Sequence, residues 1–195
     1  MSERAPLATI DAQTYLEAEK TARVRHEYVH GQLFAMVGSS RSHNLLAGNL
    51  LSLLRHHLHG GPCRVFMSDL KVRVEPADAF YYPDLVVACD SADQDDYVIT
   101  LPRLIIEVLS PSTEPVDRRE KLLNYRRIAS LAEYVLVSQE RIKVEVYRRE
   151  SSQTWSYGVY RGDDQTVLQS VDMALDLALV YEGVIPPGGA GLYQS

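Results

Sequence analysis

One acidic residue interrupts an otherwise apolar segment at residues 104–109, which read Leu-Ile-Ile-Glu-Val-Leu. Residues 82–87, Tyr-Pro-Asp-Leu-Val-Val, follow a similar plan around Asp84. Ionised carboxylates are almost never buried in apolar strands unless they are paired or coordinate a metal. Asp84 and Glu107 therefore predict a divalent-cation site inside a mixed sheet, and this pattern favours an enzyme.

The length of 195 residues favours one domain, spanning residues 1–195, with a substantial core. Residues 186–195, rich in Gly, are expected to form a flexible tail. No apolar run could span a bilayer and no secretion signal is recognisable, so we expect a cytoplasmic protein that binds no membrane. Cys63 and Cys89 lack metal-ligand spacing, and we interpret both as unpaired core residues.

Hydrophobic periodicity and turn residues predict an α/β fold with a mixed sheet. A helix capped by Asp11 is expected at residues 12–20, and a hairpin with a His30-Gly31 turn at 27–37. Further helices are predicted at residues 42–58, 116–129 and 175–181. Strands are predicted at residues 64–74, 82–89, 104–109, 133–138, 143–149, 156–161 and 165–168. The strands at 104–109 and 133–138, with the helix between them, are typical of a right-handed crossover unit.

Each of the two acids also has an ordinary structural interpretation. Asp84 follows a proline, and a Pro-Asp pair often marks a turn, so it could be a turn or capping acid. Glu107 points opposite to Ile106 and Val108, so it could lie on the exposed face of an edge strand. The aliphatic residues that follow Asp84 and flank Glu107 favour a functional site for both.

These residues carry a resemblance to a known family. Pro83-Asp84, followed by Glu107-Val108-Leu109-Ser110-Pro111-Ser112-Thr113, resembles the PD-(D/E)XK restriction-endonuclease-like superfamily, and more closely its Uma-type family of bacterial restriction endonucleases. The similarity covers residues 14–181. Its supporting matches are Glu27, Gly31, His43, Ser68-Asp69-Leu70, Asp117, Lys121 and Tyr125. The resemblance implies a restriction-endonuclease-like mixed β-sheet flanked by helices, with additional antiparallel strands. It also implies metal-dependent hydrolysis of the phosphodiester bonds of a nucleic acid, by resemblance DNA.

The lysine of the superfamily motif is missing, because Leu109 occupies its position. Asp117, Lys121, Tyr125 and Ile128 recur at helical spacing and share one face, which its apolar members predict to point inward. The long stem of Lys121 could bring its ammonium back to the strand at 104–109, and the resemblance implies the same migration. The alternative is an Asp117–Lys121 ion pair on the helix surface.

Asp84 and Glu107, with the backbone carbonyl of Val108, are the predicted ligands of Mg²⁺ or Mn²⁺, which favour oxygen donors. Glu27 falls where many relatives carry an additional acid near the metal. Lys121 would orient or deprotonate a water molecule, or neutralise charge on the phosphate.

Other residues are expected to support this site. Asp117 and Tyr125 would position the lysine, while His43 would serve the site or cap its helix. Four arginines of the helix predicted at residues 116–129 are candidates for contacts with backbone phosphates. They are Arg118, Arg119, Arg126 and Arg127.

Overall charge leaves other functions open. The formal net charge is −6, which does not by itself indicate a nucleic-acid-binding protein. A nuclease fold that binds nucleic acid or protein without cleaving, or a hydrolase of small phosphate esters, is compatible with the sequence. Relatives of this architecture suggest a homodimer.

Overall fold

The structure is a computed structural model that describes residues 7–36 and 38–184, so the predicted tail at 186–195 lies outside the described residues. Helices separate runs of consecutive strands in this part of the chain. In chain order they are α1 (Ala12–Glu19), β1 (His26–Val29), β2 (Gln32–Ala35), α2 (Arg41–His57), β3 (Arg64–Met67), β4 (Lys71–Val74), β5 (Ala79–Tyr81), β6 (Leu85–Ala88), β7 (Val98–Ile99), β8 (Pro102–Leu109), α3 (Glu114–Val116), a π-helical turn (Asp117–Lys121), α4 (Leu122–Tyr125), β9 (Glu133–Ser138), β10 (Lys143–Arg149), β11 (Trp155–Arg161), β12 (Gln165–Leu168), β13 (Met173–Asp176) and α5 (Leu177–Val180).

The larger sheet has the strand order β11-β10-β9-β8-β6-β3. Strands β8 and β9 pair in parallel, and the other neighbours pair antiparallel. The helical segment from α3 to α4 connects the two parallel strands, as the crossover prediction requires. The predicted mixed α/β architecture is therefore confirmed.

Strand β8 is buried on both faces and lies between two neighbours. Ile106 belongs to a core cluster that also contains the leucines of α2. Ile105 and Leu109 belong to a second cluster, which contains Tyr125. Because alternate side chains share a face, Glu107 points towards this second cluster, and it is only 3% exposed. The exposed edge-strand interpretation of Glu107 is therefore wrong.

A second sheet, ordered β2-β1-β5-β4-β7, carries the other side of the site. Its β1–β2 hairpin turns at His30 and Gly31, which both adopt positive φ angles. This is the predicted hairpin, although Val37 at its predicted end lies outside the described residues. Strands β12 and β13 form a separate antiparallel pair.

Two predicted strands differ from those observed. Residues 64–74 form two strands in different sheets, because the chain turns after Met67, whose carbonyl accepts the Asp69 amide at 2.6 Å. The strand predicted at 82–89 begins only at Leu85. Pro83 has no N–H to contribute to a ladder, so pairing starts beyond it.

Two predicted helices also differ. The helix predicted at 116–129 begins at Glu114, ends at Tyr125, and contains the π-helical turn. The helix predicted at 175–181 is divided between β13 and α5. The described part of the chain has no helix that is both long and apolar enough to cross a membrane.

The interpretation of the cysteines as unpaired was wrong. Cys63 and Cys89 form a disulfide, with their Cα atoms 3.9 Å apart. They stand next to the paired residues Arg64 and Ala88, so the β3–β6 ladder places them opposite each other. Their separation of 26 positions in the sequence gives no sign of this pairing.

Candidate active site

Asp84 and Glu107 meet where the β6–β8 ladder begins. The first pair of that ladder is Leu85 with Ile106, so the two acids lie one position beyond it. The Asp84 amide donates to Glu107 Oε2 at 3.2 Å, and the Val108 amide donates to Asp84 Oδ2 at 2.7 Å. These reciprocal hydrogen bonds hold the two carboxylates side by side.

The ammonium of Lys121 lies among three carboxylates. Its Nζ is 3.0 Å from Glu107 Oε1, 3.0 Å from Glu27 Oε1 and 3.2 Å from Asp117 Oδ1. The lysine is 6% exposed, and each of the three acids is buried as well. The ion pair between Asp117 and Lys121 therefore forms inside the protein and not on the helix surface.

The π-helical turn gives this part of the helix its inward-facing charged residues. It spans Asp117–Lys121, whose first and last residues are buried. One turn later, the Tyr125 hydroxyl donates to Glu107 Oε1 at 3.2 Å. The Tyr134 hydroxyl of β9 donates to the Asp117 carbonyl at 3.1 Å and ties the turn to the sheet. Isolated π-helical turns are frequent at functional sites.

Glu27 reaches the same cluster from the second sheet. It lies in β1, and its Oε1 also accepts the Tyr82 amide at 3.4 Å. Since Tyr82 precedes Pro83 and Asp84, this contact connects the second sheet to the chain segment that carries Asp84.

His43 lies in the first turn of α2, where the Ser40 hydroxyl caps the helix by accepting the His43 amide at 3.1 Å. The His43 Nε2 is 3.2 Å from Asp84 Oδ2. Burial alone would lower the pKa of His43, but its hydrogen bond to Asp84, the nearby acidic charges and the Val108 carbonyl together raise it. A protonated His43 would thus neutralise part of the charge on Asp84.

The single positive charge of Lys121 is too small to neutralise the three carboxylates around it. Burial raises the pKa of Glu107 well above its usual range, although the Lys121 ammonium opposes the rise. Burial raises the pKa of Asp117 too, again against Lys121. For Lys121 burial acts in the other direction, but Glu107, Glu27 and Asp117 outweigh it and raise the lysine pKa well above its ordinary value. The surrounding carboxylates therefore favour the protonated form of Lys121.

These groups line a cavity of about 280 Å³. Its charged groups are four carboxylates and one ammonium, a formal charge of −3 when His43 is neutral and every carboxylate is ionised. The remaining lining includes the polar side chains of Ser39, Ser112 and Thr113. Such a concentration of negative charge in a recessed cavity attracts cations.

The donor set fits a hard divalent cation. In the described parts of the chain, no three His, Cys, Asp or Glu side chains are arranged to hold an ion by themselves. Mg²⁺ is usually bound by one or two carboxylates together with water and substrate phosphates, and dedicated all-protein cages are unusual. The carboxylates of Asp84 and Glu107, which both line the cavity, offer this type of oxygen ligand.

Comparison with known proteins identifies the family. The model of the Uma2 family, described as "Putative restriction endonuclease", matches residues 12–179. The chain belongs to the Uma2 family. Two uncharacterized proteins of Synechocystis sp. strain PCC 6803 are similar to it over most of their length. One is 34% identical, covering 94% of this chain and 97% of the relative. The other is 30% identical and covers 81% and 91%.

The fold is shared with a solved structure. A protein described as "a putative nuclease belonging to DUF820", from Anabaena variabilis, matches with a TM-score of 0.74 and 16% sequence identity. The match covers 90% of this chain and 99% of that chain. The restriction-endonuclease-like resemblance seen in the sequence is thus confirmed at the level of family and fold.

The four arginines expected to contact phosphates do not line the cavity of about 280 Å³ that holds Asp84 and Glu107. Arg118 forms ion pairs with Glu114 at 2.6 Å and Glu145 at 2.5 Å. The Arg126 guanidinium lies 5.5 Å from the centre of the Trp155 ring. The other two are exposed on the surface; they are Arg119 and Arg127.

Sequence reasoning missed two other arginines near the site. Arg23 and Arg25 line a second cavity, which shares His43 and Asp84 with the first. Their spacing of two residues, immediately before Glu27, was the available signal. It was overlooked because the segment between α1 and β1 has no regular periodicity.

Proposed function

We propose that this protein is a Mg²⁺- or Mn²⁺-dependent nuclease that hydrolyses phosphodiester bonds in DNA. The observation that carries the proposal is the hydrogen-bonded pair of Asp84 and Glu107, buried beside a lysine cation in an acidic cavity. Membership of the Uma2 family supports the same chemistry.

Asp84, Glu107 and the Val108 carbonyl would hold the metal ion. A divalent cation bound there would polarise the phosphate and lower the pKa of a bound water. Glu27 was expected near the metal, and its Oε1 lies 3.0 Å from the Lys121 ammonium. In addition to that expected place it would position the lysine, together with Asp117.

Lys121 would stabilise the negative charge that develops on the phosphate during water attack. Its raised pKa favours the protonated form, which would donate hydrogen bonds to the phosphate or orient the attacking water. Tyr125 donates to Glu107 and fixes the orientation of that carboxylate. His43 fixes the orientation of the Asp84 carboxylate in the same way.

The proposal is tested by incubating supercoiled plasmid and single-stranded DNA with the purified protein and Mn²⁺. The informative variants are Asp84→Asn and Glu107→Gln, which keep side-chain shape and remove the charge. Asp163→Asn, in an exposed turn far along the chain, is the matched control. We expect cleavage by the wild type and the control only.

Two outcomes would reject the nuclease proposal. One is full cleavage by Asp84→Asn, which would place the activity elsewhere or in a contaminant. The other is DNA binding without cleavage by the wild type, which would favour a catalytically silent nuclease fold.

Assembly remains a prediction from the family resemblance, and location remains a prediction from the sequence. A homodimer is expected, and analytical ultracentrifugation of the purified chain would test it. A cytoplasmic location is expected as well, and fractionation of cells that produce the protein would test that. Neither is required for the chemistry proposed above.

A further inference from the structure

A groove of about 360 Å³ opens beside the acidic cavity. The two share four lining residues, Met36, Ser39, His43 and Asp84, so they form one continuous depression. The part of the groove outside the acidic cavity is lined by Arg23, Val24, Arg25, Gly38, Asn44, Ala47, Met67, Ser68 and Asp69. We call this groove of about 360 Å³ the arginine groove, and the cavity that Lys121 lines the acidic cavity.

Arg23 and Arg25 are the cations of this groove that can reach a ligand. Lys121, in the adjoining cavity, is already held by three carboxylates. Arg23 is exposed, and the Arg25 side chain is 42% exposed. Both lie on the short segment between α1 and β1, and the Arg25 carbonyl accepts the Met36 amide at 2.9 Å. This hydrogen bond fixes the segment against the end of β2, beside the acidic cavity.

Arg25 pairs with an exposed carboxylate, and its guanidinium also lies 5.7 Å from the centre of the Tyr82 ring. Its guanidinium is 2.7 Å from Asp69 Oδ1, and the Asp69 side chain is 78% exposed. Exposed ion pairs of this kind contribute at most about 1 kcal/mol, so a phosphate could replace Asp69 at small cost. Asp69 therefore competes with any anionic ligand of the groove.

The depth of the acids restricts the form of the ligand. Glu107 and Asp117 are 3% and 2% exposed, and Asp84 is the more open member of the metal pair. A rigid duplex presents its phosphates on a broad convex surface, which fits acids that are only 2–3% exposed less well than a flexible strand does. An unpaired strand can bend into it, and proteins bind such strands in narrow, positively charged grooves.

We infer that the arginine groove binds an unpaired nucleic-acid strand. Arg23 and Arg25 contact the phosphates next to the phosphodiester bond that lies at Asp84 for cleavage. The inference rests on the proposed nuclease function for the role of that bond. Binding by the groove itself does not depend on cleavage. Val24 and Met67, which are both exposed, give the groove apolar surface for the bases.

The test measures binding apart from cleavage. Fluorescence anisotropy of labelled oligothymidylate, in EDTA and over a series of salt concentrations, gives the dissociation constant and its salt dependence. The double variant Arg23→Gln/Arg25→Gln should bind about tenfold more weakly. Its salt slope should be shallower by about 1.4, because each phosphate contact to a single strand contributes about 0.7.

Matched variants control for general loss of positive charge. Arg119→Gln/Arg127→Gln removes two exposed arginines outside both cavities and should bind as the wild type does. Asp69→Asn removes the competing carboxylate and should bind about threefold more tightly. A gain of affinity cannot be explained by misfolding.

Several results would overturn the inference. They are an unchanged dissociation constant in Arg23→Gln/Arg25→Gln, a loss confined to Arg119→Gln/Arg127→Gln, equal affinity for the matching oligothymidylate–oligoadenylate duplex, and no binding of the single strand. Groove-dependent binding without any Mn²⁺-dependent cleavage would refute the proposed nuclease function, and strand binding by the groove would stand. Cleavage with an unchanged dissociation constant in Arg23→Gln/Arg25→Gln would refute strand binding by the groove, and the nuclease function would stand.

Discussion

The Lys121 ammonium lies 3.0 Å from Glu107 Oε1, although the two residues are 14 positions apart in the sequence. The residue two positions after Glu107 is Leu109, whose side chain packs in an apolar cluster. The helix that follows β8 therefore supplies the cation that the strand itself lacks. The contact brings the Lys121 ammonium to the acid of β8, which is the position that its proposed role requires.

Lys121→Met should abolish cleavage and lower the stability of the fold. Removing one partner of a buried ion pair leaves uncompensated charge and costs about 3–5 kcal/mol. Here three carboxylates lose their shared cation. Urea unfolding would measure the change in the free energy of unfolding, with cleavage assayed in parallel.

The same prediction has an internal control. Lys20→Met breaks an exposed ion pair with Glu17 and should change the free energy of unfolding by less than about 1 kcal/mol. Adding Asp117→Asn to Lys121→Met removes one of the stranded charges and should restore part of the stability, but no cleavage. Equal urea midpoints for Lys121→Met and the wild type would show that the buried cluster is wrongly described.

Tyr125→Phe should reduce both stability and activity, with little change in packing. The variant removes only the hydroxyl that donates to Glu107 at 3.2 Å. Losing a buried hydrogen bond to an acid costs about 1–3 kcal/mol. We expect a lower urea midpoint and slower Mn²⁺-dependent cleavage. A variant that is as stable as the wild type would mean that this hydrogen bond is absent in solution.

Glu145 should make the protein sensitive to acid. Burial acts to raise its pKa, but hydrogen bonds from Arg118, Lys143 and Tyr157 outweigh burial and lower the pKa from 4.5 to about 2. Because the folded pKa is depressed, the stabilisation is fully present above about pH 4.5. It is lost as the pH falls towards 2.

Urea unfolding across this pH range would measure the effect. Glu145→Gln should be less stable than the wild type at neutral pH, and the difference should shrink as the pH falls through the range 4.5 to 2. A difference that stays constant over this range would contradict the lowered pKa.

Reduction of the disulfide should destabilise the protein. The bond closes a loop with a sequence separation of 26, for which loop-closure entropy gives about 3.5 kcal/mol. Cys63→Ser/Cys89→Ser should therefore unfold at lower temperature, and wild type in reducing agent should match it. If the two forms melt together without reductant, the cysteines are not bonded in the purified protein.

Sequence patterns were sufficient for the features that depend on local periodicity. The apolar run around Glu107 predicted a buried strand, and the leucines of α2 predicted a helix. The inward position of Lys121 followed from its spacing with Tyr125, because a helix face with apolar members turns to the core. The clustering of Glu27 with these residues required the family resemblance.

Features that depend on distant contacts were not predictable in this way. Alternating apolar residues look the same whether a strand continues or its chain moves to another sheet, as it does after Met67. The disulfide depends on the register of β3 with β6, which no local pattern encodes. Likewise, Arg118 pairs with Glu145, which is 27 positions away in the sequence. Arg25 lines a cavity with His43 and Asp84, which are also distant in the sequence.

The most direct test of the central claim is calorimetric titration of Mn²⁺ into the metal-free protein. The wild type and Asp163→Asn should bind the ion at one site, and Asp84→Asn and Glu107→Gln should each bind it at least about tenfold more weakly, since each removes one carboxylate ligand. Equal affinity in the Asp84 and Glu107 variants, or no binding by the wild type, would contradict a metal site at these two acids.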